Sequence, residues 1–243
     1  MRPVALFDLD NTLVDRQGAY RRWSRWFAAE EGLDEDAVAL LDRLDGDGFA
    51  PRQEVFAGLK AALGLPQGID ELITAYRSTY GAFFEPDPEV DAALRELRGQ
   101  GWVIGVVTNG PPSQRQKLQR TGLDRLVDGW WISEELGAAK PDQRIFEAAL
   151  TGLRNGTGAG PPGRTNAAPA DDGAAGTVAG WMVGDSPLYD VRGGLGAGLR
   201  TVWMHRGRRW GEPDYQPDAQ AGTVREAVEL IVGWSSAAPW QGR

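Results

Sequence analysis

Two aspartates follow directly after an apolar run near the N-terminus, in the sequence VALFDLDNTLVD at residues 4–15. Asp8 and Asp10 are two residues apart, and Thr12 follows closely. An unpaired carboxylate is costly to bury, so these side chains belong either beside a cation or at an open sheet edge. At such an edge, one carboxylate can attack phosphorus to give an aspartyl-phosphate, and a second can transfer the protons of that reaction.

Three more groups of polar residues follow apolar runs later in the chain. Thr108 and Asn109 lie in TNG, Lys140 lies in GAAKPD, and Asp185 and Asp190 lie in GDSPLYD. A hydroxyl, an amide and an ammonium can bind phosphoryl oxygens as charge builds on them. Several carboxylates close together need a hard divalent cation, for which Mg²⁺ is the natural choice. Ligands gather at the carboxyl ends of the strands of an open α/β sheet, so we expect these groups to converge in one crevice.

The elements that would position these residues alternate between strand and helix from about residue 86 onward. Short, apolar strands of the kind buried in a parallel sheet are predicted at residues 4–7, 102–108, 129–133, 178–183 and 200–204. This alternation predicts an α/β fold with a doubly wound, mostly parallel, Rossmann-like sheet. We assign residues 1–15 and 86–243 to that catalytic core.

A helical insert interrupts the core early, at residues 16–85. Four amphipathic segments follow one another there with no strand between them. The first places four aromatic residues on one face, Tyr20, Trp23, Trp26 and Phe27. A small helical domain is therefore predicted. Within the core, residues 154–176 are rich in Gly, Ala and Pro and are predicted to form a disordered or flexible surface loop.

The polar residues of one core helix carry no chemistry in this interpretation. The segment from Lys117 to Arg120 follows the TNG motif and is predicted to form the polar face of its helix.

The composition excludes several classes of function. The formal net charge of -8 argues against nucleic acid or an anionic membrane as the main partner. The absence of Cys and the single His exclude thiol nucleophiles and the usual zinc sites. No apolar run approaches the ~20 residues of a membrane span, and the N-terminus enters a strand without a signal peptide. We expect a cytoplasmic protein that is a monomer or a weak homodimer.

Taken together, the four motifs DLDNT, TN, a Lys before PD, and GDSPLYD resemble those of the haloacid dehalogenase superfamily. The resemblance covers nearly the whole chain, and the ordered combination is highly specific although each piece alone is typical of an ordinary turn or helix cap. It implies that Asp8 is the nucleophile and a Mg²⁺ ligand. It implies that Asp10 is the general acid/base, with its backbone carbonyl reaching the metal.

The resemblance also implies roles for the other motif residues. Thr108 and Asn109 would hold the transferring phosphoryl group, and Lys140 would neutralise the nucleophile and the phosphate. Asp185 would complete the metal shell. Asp190 would support Lys140 or a metal-bound water.

Asp10 favours the phosphatase branch, because the true dehalogenases of the superfamily lack a carboxylate two positions after the nucleophile. The helical insert resembles the small cap that closes over compact substrates, which implies a small phosphorylated metabolite as the substrate. The expected function is Mg²⁺-dependent hydrolysis of small phosphomonoesters. Two alternatives stay open: a phosphotransferase or mutase that uses the same intermediate, and a phosphate-binding regulatory module without activity.

Overall fold

The structure is a computed structural model that describes residues 2–156 and 180–237. The chain divides into two compact units, one of Met1–Val14 with Pro86–Arg243 and one of Asp15–Glu85. Most of the loop predicted at 154–176 lies outside the described residues. Its start was wrong by two residues, because the helix before it continues to Asn155 and ends at Gly156 in the left-handed conformation.

The larger unit is built on a sheet of six parallel strands in the order β3-β2-β1-β4-β5-β6. The strands are β1 Val4–Phe7, β2 Val103–Thr108, β3 Gly129–Ile132, β4 Gly180–Gly184, β5 Arg200–Met204 and β6 Ala219–Ala221. This architecture confirms the predicted α/β class. The edge strand β6 was not predicted, because its three residues Ala-Gln-Ala carry neither an apolar run nor β-branched residues.

The order of the strands decides where a ligand can bind. β1 lies at the centre, with β2 on one side and β4 on the other. The chain moves outward in one direction from β1 to β3 and in the opposite direction from β4 to β6. A crevice opens at such a reversal, outside the carboxyl ends of the two central strands.

Six α-helices of the described residues accompany this sheet: α5 Pro88–Gly99, α6 Gln114–Thr121, α7 Ser133–Leu136, α8 Gln143–Asn155, α9 Gly193–Gly196 and α10 Val224–Ala237. They are numbered after the four helices of the smaller unit, α1 Arg16–Glu30, α2 Glu35–Asp45, α3 Arg52–Leu63 and α4 Ile69–Thr79. After β4 the chain forms a π-helical turn, Pro187–Arg192, that continues into α9.

The core of the larger unit lies between the sheet and its helices. Phe146 and Ile145 of α8 are fully buried against Leu6 of β1 and Met182 of β4. The four residues of β1 are all buried, as expected for a central parallel strand covered on both faces. A rigid central strand therefore ends directly at the first aspartate.

The smaller unit has its own core of aromatic side chains. Tyr20 and Trp23 of α1 are buried and pack against Tyr76 of α4. Arg16 donates a 2.6 Å hydrogen bond to the buried carboxylate of Asp45. Each of the four helices thus has buried apolar residues on one face. The prediction was wrong for Trp26, which is 37% exposed and lies beside Phe83 at the edge of the aromatic core.

No helix among the described residues is sufficiently long and apolar to span a bilayer.

Candidate active site

Three buried carboxylates meet at the carboxyl ends of β1 and β4. Asp8 follows β1 directly, Asp185 follows β4, and Asp190 lies one turn further along the chain. One carboxylate oxygen from each lies within 4.8 Å of the others. The parallel pairing of β1 with β4 brings Asp8 and Asp185 together. Phe7 pairs with Val183, so Asp8 is one residue beyond this pair on its strand and Asp185 is two residues beyond it.

Lys140 lies between two of these carboxylates. Its Nζ donates hydrogen bonds of 2.6 Å to Asp8 Oδ1 and of 2.6 Å to Asp190 Oδ1. The lysine is only 3% exposed, so this ion pair has little access to water. Within the described residues, the second oxygen of Asp8, Oδ2, accepts no hydrogen bond. A carboxylate oxygen in this state is chemically able to act as a nucleophile.

Asn109 positions the backbone of Lys140. Its side-chain Oδ1 accepts a 2.8 Å hydrogen bond from Lys140 N, and its Nδ2 donates one of 3.0 Å to Lys140 O. The sequence predicts that Asn109 holds a phosphoryl group. Its hydrogen bonds to the Lys140 backbone were not predicted from the motif. The amide Nδ2 carries a second N–H in addition to the one that Lys140 accepts.

Asp190 is held in place by its own turn. Ser186 N donates a 2.9 Å hydrogen bond to Asp190 Oδ2, while Lys140 binds the other oxygen. Both carboxylate oxygens are therefore used inside the protein. This placement supports a role for Asp190 in orienting Lys140.

Two arginines that the sequence analysis missed bind Asp185. Arg206 Nη1 and Arg208 Nη2 lie 3.0 and 3.2 Å from Asp185 Oδ2. Arg208 also donates a 2.6 Å hydrogen bond to the backbone carbonyl of Asp185, which accepts another from Trp203 Nε1 at 2.9 Å. In the sequence, the run HRGRR directly after β5 indicates cationic groups at this edge of the sheet, because the carboxyl ends of parallel strands share one edge.

Asp10 contacts a helix that was assigned no chemistry. Lys117 Nζ lies 2.7 Å from both of its carboxylate oxygens, and Gln114 Nε2 donates to its Oδ2 at 2.9 Å. Gln114 also donates to Thr108 Oγ1 at 2.9 Å. The prediction that the segment from Lys117 forms only a polar helix face was therefore wrong for its first residue. The sequence feature that could have indicated this pair is the three-residue spacing of Gln114 and Lys117, which places both side chains on one side of α6.

Burial dominates the electrostatics of the carboxylate cluster. Desolvation, opposed by Lys140 and reinforced by Asp190, raises the pKa of Asp8 to about 7. Desolvation and the neighbouring Asp8 charge raise the pKa of Asp185 to about 6, against the pull of Arg206. Burial also raises the pKa of Asp190. For Lys140, burial lowers the pKa, but the Asp190 and Asp8 charges outweigh it and raise the pKa above its ordinary value.

This donor set fits a hard divalent cation. The oxygen atoms of Asp8, Asp185 and Asp190 face one another, and each carboxyl has a raised pKa, so nearby positive charge does not fully compensate the group. Carboxylate oxygens are the ligands that Mg²⁺ prefers. Asp190 already binds Lys140 and Ser186 N, so Asp8 and Asp185 are the better ligands.

Comparison with known proteins gives the same family as the motifs. A phosphoserine phosphatase of Thermus thermophilus is 37% identical over 180 residues, which are 72% of this chain and 63% of that protein, so the chain spans less than two thirds of its length. The pyrimidine 5′-nucleotidase YjjG of Escherichia coli is 32% identical over 237 residues, 93% of this chain and 96% of that protein.

A solved structure has the same fold. The putative HAD-hydrolase YfnB of Bacillus subtilis superposes with a TM-score of 0.69 at 22% identity, covering 95% of this chain and 98% of that one. The sequence profile of the haloacid dehalogenase-like hydrolases matches residues 3–198. The chain belongs to the haloacid dehalogenase-like hydrolase family.

Proposed function

We propose that this protein is a Mg²⁺-dependent phosphatase of small phosphomonoesters that acts through an aspartyl-phosphate on Asp8. The observation that carries the proposal is the state of the Asp8 carboxylate. Lys140 binds Oδ1 at 2.6 Å, while Oδ2 accepts no hydrogen bond in the described part of the chain. A carboxylate held in this way has one oxygen fixed and the other ready to attack phosphorus.

In the first half of the proposed reaction, Asp8 Oδ2 forms a bond to phosphorus as the bond from phosphorus to the ester oxygen breaks. Asp10 gives its proton to that departing oxygen, so an alcohol leaves. In the second half, the oxygen of a water molecule attacks phosphorus and its proton passes to Asp10. The bond between Asp8 and phosphorus breaks, inorganic phosphate leaves, and both aspartates return to their starting states.

The other residues stabilise charge during these steps. Lys140 offers its ammonium beside the nucleophile, and Thr108 offers a hydroxyl at the end of β2. Asp8, Asp185 and the backbone carbonyl of Asp10 would hold the Mg²⁺. When bound, the ion would neutralise these carboxylates and the phosphoryl oxygens.

The proposed substrate is a small phosphorylated metabolite in the cytoplasm, and the helical unit of residues 15–85 would act as the cap that selects it. The activities of the relatives support this size class, since they are a phosphoserine phosphatase, a pyrimidine 5′-nucleotidase and several glyceraldehyde 3-phosphate phosphatases. The chain has a net charge of -8, so an anionic substrate needs cationic groups inside the binding site itself. Lys140 is such a group.

The test is phosphate release from a panel of small phosphomonoesters by the wild type and by Asp8→Asn. We expect release by the wild type with Mg²⁺, none above background with excess EDTA, and a loss of at least ~1,000-fold in Asp8→Asn because the nucleophile is gone. Asp91→Asn, which alters an exposed aspartate of α5, is the matched control.

Three outcomes would contradict the proposal. Unchanged activity in Asp8→Asn would exclude the aspartyl-phosphate, and indifference to EDTA would exclude the metal. Transfer of a labelled phosphoryl group to a second substrate hydroxyl, without release of phosphate, would instead indicate a mutase or phosphotransferase.

A further inference from the structure

One face of α6 reaches two functional side chains at once. Gln114 and Lys117 are three residues apart on this helix and both point towards Asp10. Lys117 Nζ lies 2.7 Å from each carboxylate oxygen of Asp10, and its side chain is only 12% exposed. Neither residue belongs to the four motifs that define the site.

The backbone around Asp10 is held separately from its side chain. The amides of Leu13 and Val14 each donate to Leu9 O at 3.0 Å, and Asn11 N donates to Val14 O at 2.8 Å. This turn fixes where the Asp10 backbone lies. An aspartate side chain on a fixed backbone still has three staggered χ1 positions, so its carboxylate needs partners to hold one of them. Lys117 and Gln114 supply such partners.

Gln114 connects the ends of β1 and β2. Its single Nε2 donates to Asp10 Oδ2 and to Thr108 Oγ1, both at 2.9 Å, and Gln114 is only 2% exposed. Because the Thr108 hydroxyl accepts this hydrogen bond, its own proton is directed away from Gln114. That proton can be donated to a phosphoryl oxygen.

We propose that Gln114 and Lys117 are positioning residues that hold the Asp10 carboxyl group and the Thr108 hydroxyl in the geometry in which Asp10 gives its proton to the leaving group and takes one back from the attacking water. The inference rests on the proposed function, since it assigns Asp10 the proton transfer. Neither residue touches the substrate in this proposal. They act through Asp10 and Thr108.

Two esters with different leaving groups test the positioning role. An alkyl phosphate needs a proton on its departing oxygen, whereas p-nitrophenyl phosphate releases a stable phenolate and needs little help. We expect Lys117→Met to lower kcat/KM for the alkyl ester by about 30- to 100-fold and for the p-nitrophenyl ester by less than about fivefold. Gln114→Leu should change kcat/KM in the same direction. Values of kcat/KM are compared because they report the steps up to release of the alcohol.

The matched control is Arg115→Met on the same helix. Arg115 is exposed and pairs with Glu135 at 2.7 Å, away from Asp10, so its removal should leave both kcat/KM values within about twofold. Equal losses for the two esters in Lys117→Met would show a general structural role and overturn the inference. Unchanged activity on the alkyl ester would also overturn it.

A second measurement does not depend on turnover. Thermal unfolding of Asp10→Asn, Lys117→Met and the double variant gives a double-mutant cycle. We expect the shift in Tm of the double variant to differ from the sum of the single shifts, because the two side chains interact. Additive shifts would overturn the inference whatever the activity. If the wild type releases phosphate from no ester, the proposed function fails, and the cycle still decides whether Lys117 holds Asp10.

Discussion

At the residue scale, the most unusual group is the buried ammonium of Lys140. It contacts the carboxylates of Asp8 and Asp190, which lie 132 and 50 positions away in sequence. The Asn109 side chain binds both the backbone amide and the backbone carbonyl of Lys140. Removing one partner from a buried charge network leaves the others uncompensated. Lys140 therefore contributes to stability as well as to the proposed chemistry.

Lys140→Met should destabilise the metal-free protein by about 2–4 kcal/mol at about pH 8 and by less at about pH 5. At the higher pH the carboxylates that lose their cation are charged, while at the lower pH they can take up protons. Urea unfolding in EDTA at both pH values measures the difference. In the described part of the chain, the Lys60 ammonium binds the carbonyls of Leu65 and Gln67 and no carboxylate, so the cost of Lys60→Met should be equal at the two pH values. A Lys140→Met cost independent of pH would contradict the network.

At the scale of elements, the end of β4 and the turn after it are packed against each other. Gly184 ends β4, and a Cβ at this position would overlap the Asp190 carboxyl group. Asp190 is only 1% exposed and binds both Lys140 and Ser186 N, so it cannot move aside without breaking those contacts. A glycine is required here by close approach, since its φ lies outside the left-handed region.

Gly184→Ala should therefore lower kcat/KM for phosphate release at least ~10-fold and reduce the free energy of unfolding by ~1–3 kcal/mol. The added methyl displaces Asp190, and Lys140 loses one of its two carboxylates. Phosphate release and urea unfolding measure the two effects. The control is Gly99→Ala, in which the new Cβ meets open space at the end of α5. Equal activity in the two alanine variants would show that β4 and its turn adjust freely.

At the scale of the whole molecule, an acidic chain brings three carboxyl groups into one buried cluster. The pKa of Asp8 is raised to about 7 by burial, whereas an ordinary aspartate has a pKa near 3.8. Between those two pH values the folded protein holds a proton at Asp8 that the unfolded chain has lost. The contribution of Asp8 to stability consequently falls as pH rises through this window.

Relative to wild type, Asp8→Asn should thus gain stability in the metal-free protein as pH rises from about 4 to 7, by on the order of 3 kcal/mol across that range. Urea unfolding in EDTA across this range measures the change. Asp91→Asn is the control. The Arg95 hydrogen bond lowers the pKa of the exposed Asp91, so the stability that Asp91 contributes changes below about pH 4 and should stay constant between pH 4 and pH 7.

For the wild type, Mg²⁺ should raise Tm more at about pH 8 than at pH 5, since the metal ligands must be deprotonated. A Mg²⁺ effect equal at both pH values would contradict the assignment of Asp8 and Asp185 as ligands.

Much of the fold and part of the site follow from local patterns in the sequence. The apolar run before Asp8 predicts a strand buried on both faces, and β1 is such a strand. Alternation of strands and helices predicts a parallel sheet, whose carboxyl ends share one edge, so Asp8 and Asp185 were expected to meet. These predictions succeed because each depends on residues that are neighbours in the chain.

Only the tertiary structure decided which side chains pair across that edge. The three-residue spacing of Gln114 and Lys117 defines a face of α6, but Asp10 lies more than a hundred residues earlier in sequence. The run HRGRR places Arg206 and Arg208 at the carboxyl edge of the sheet, but it does not indicate that Asp185 is the residue they bind. The physical reason is that periodicity and strand order determine which residues share a face or an edge, whereas contacts of 3 Å depend on how separate elements pack.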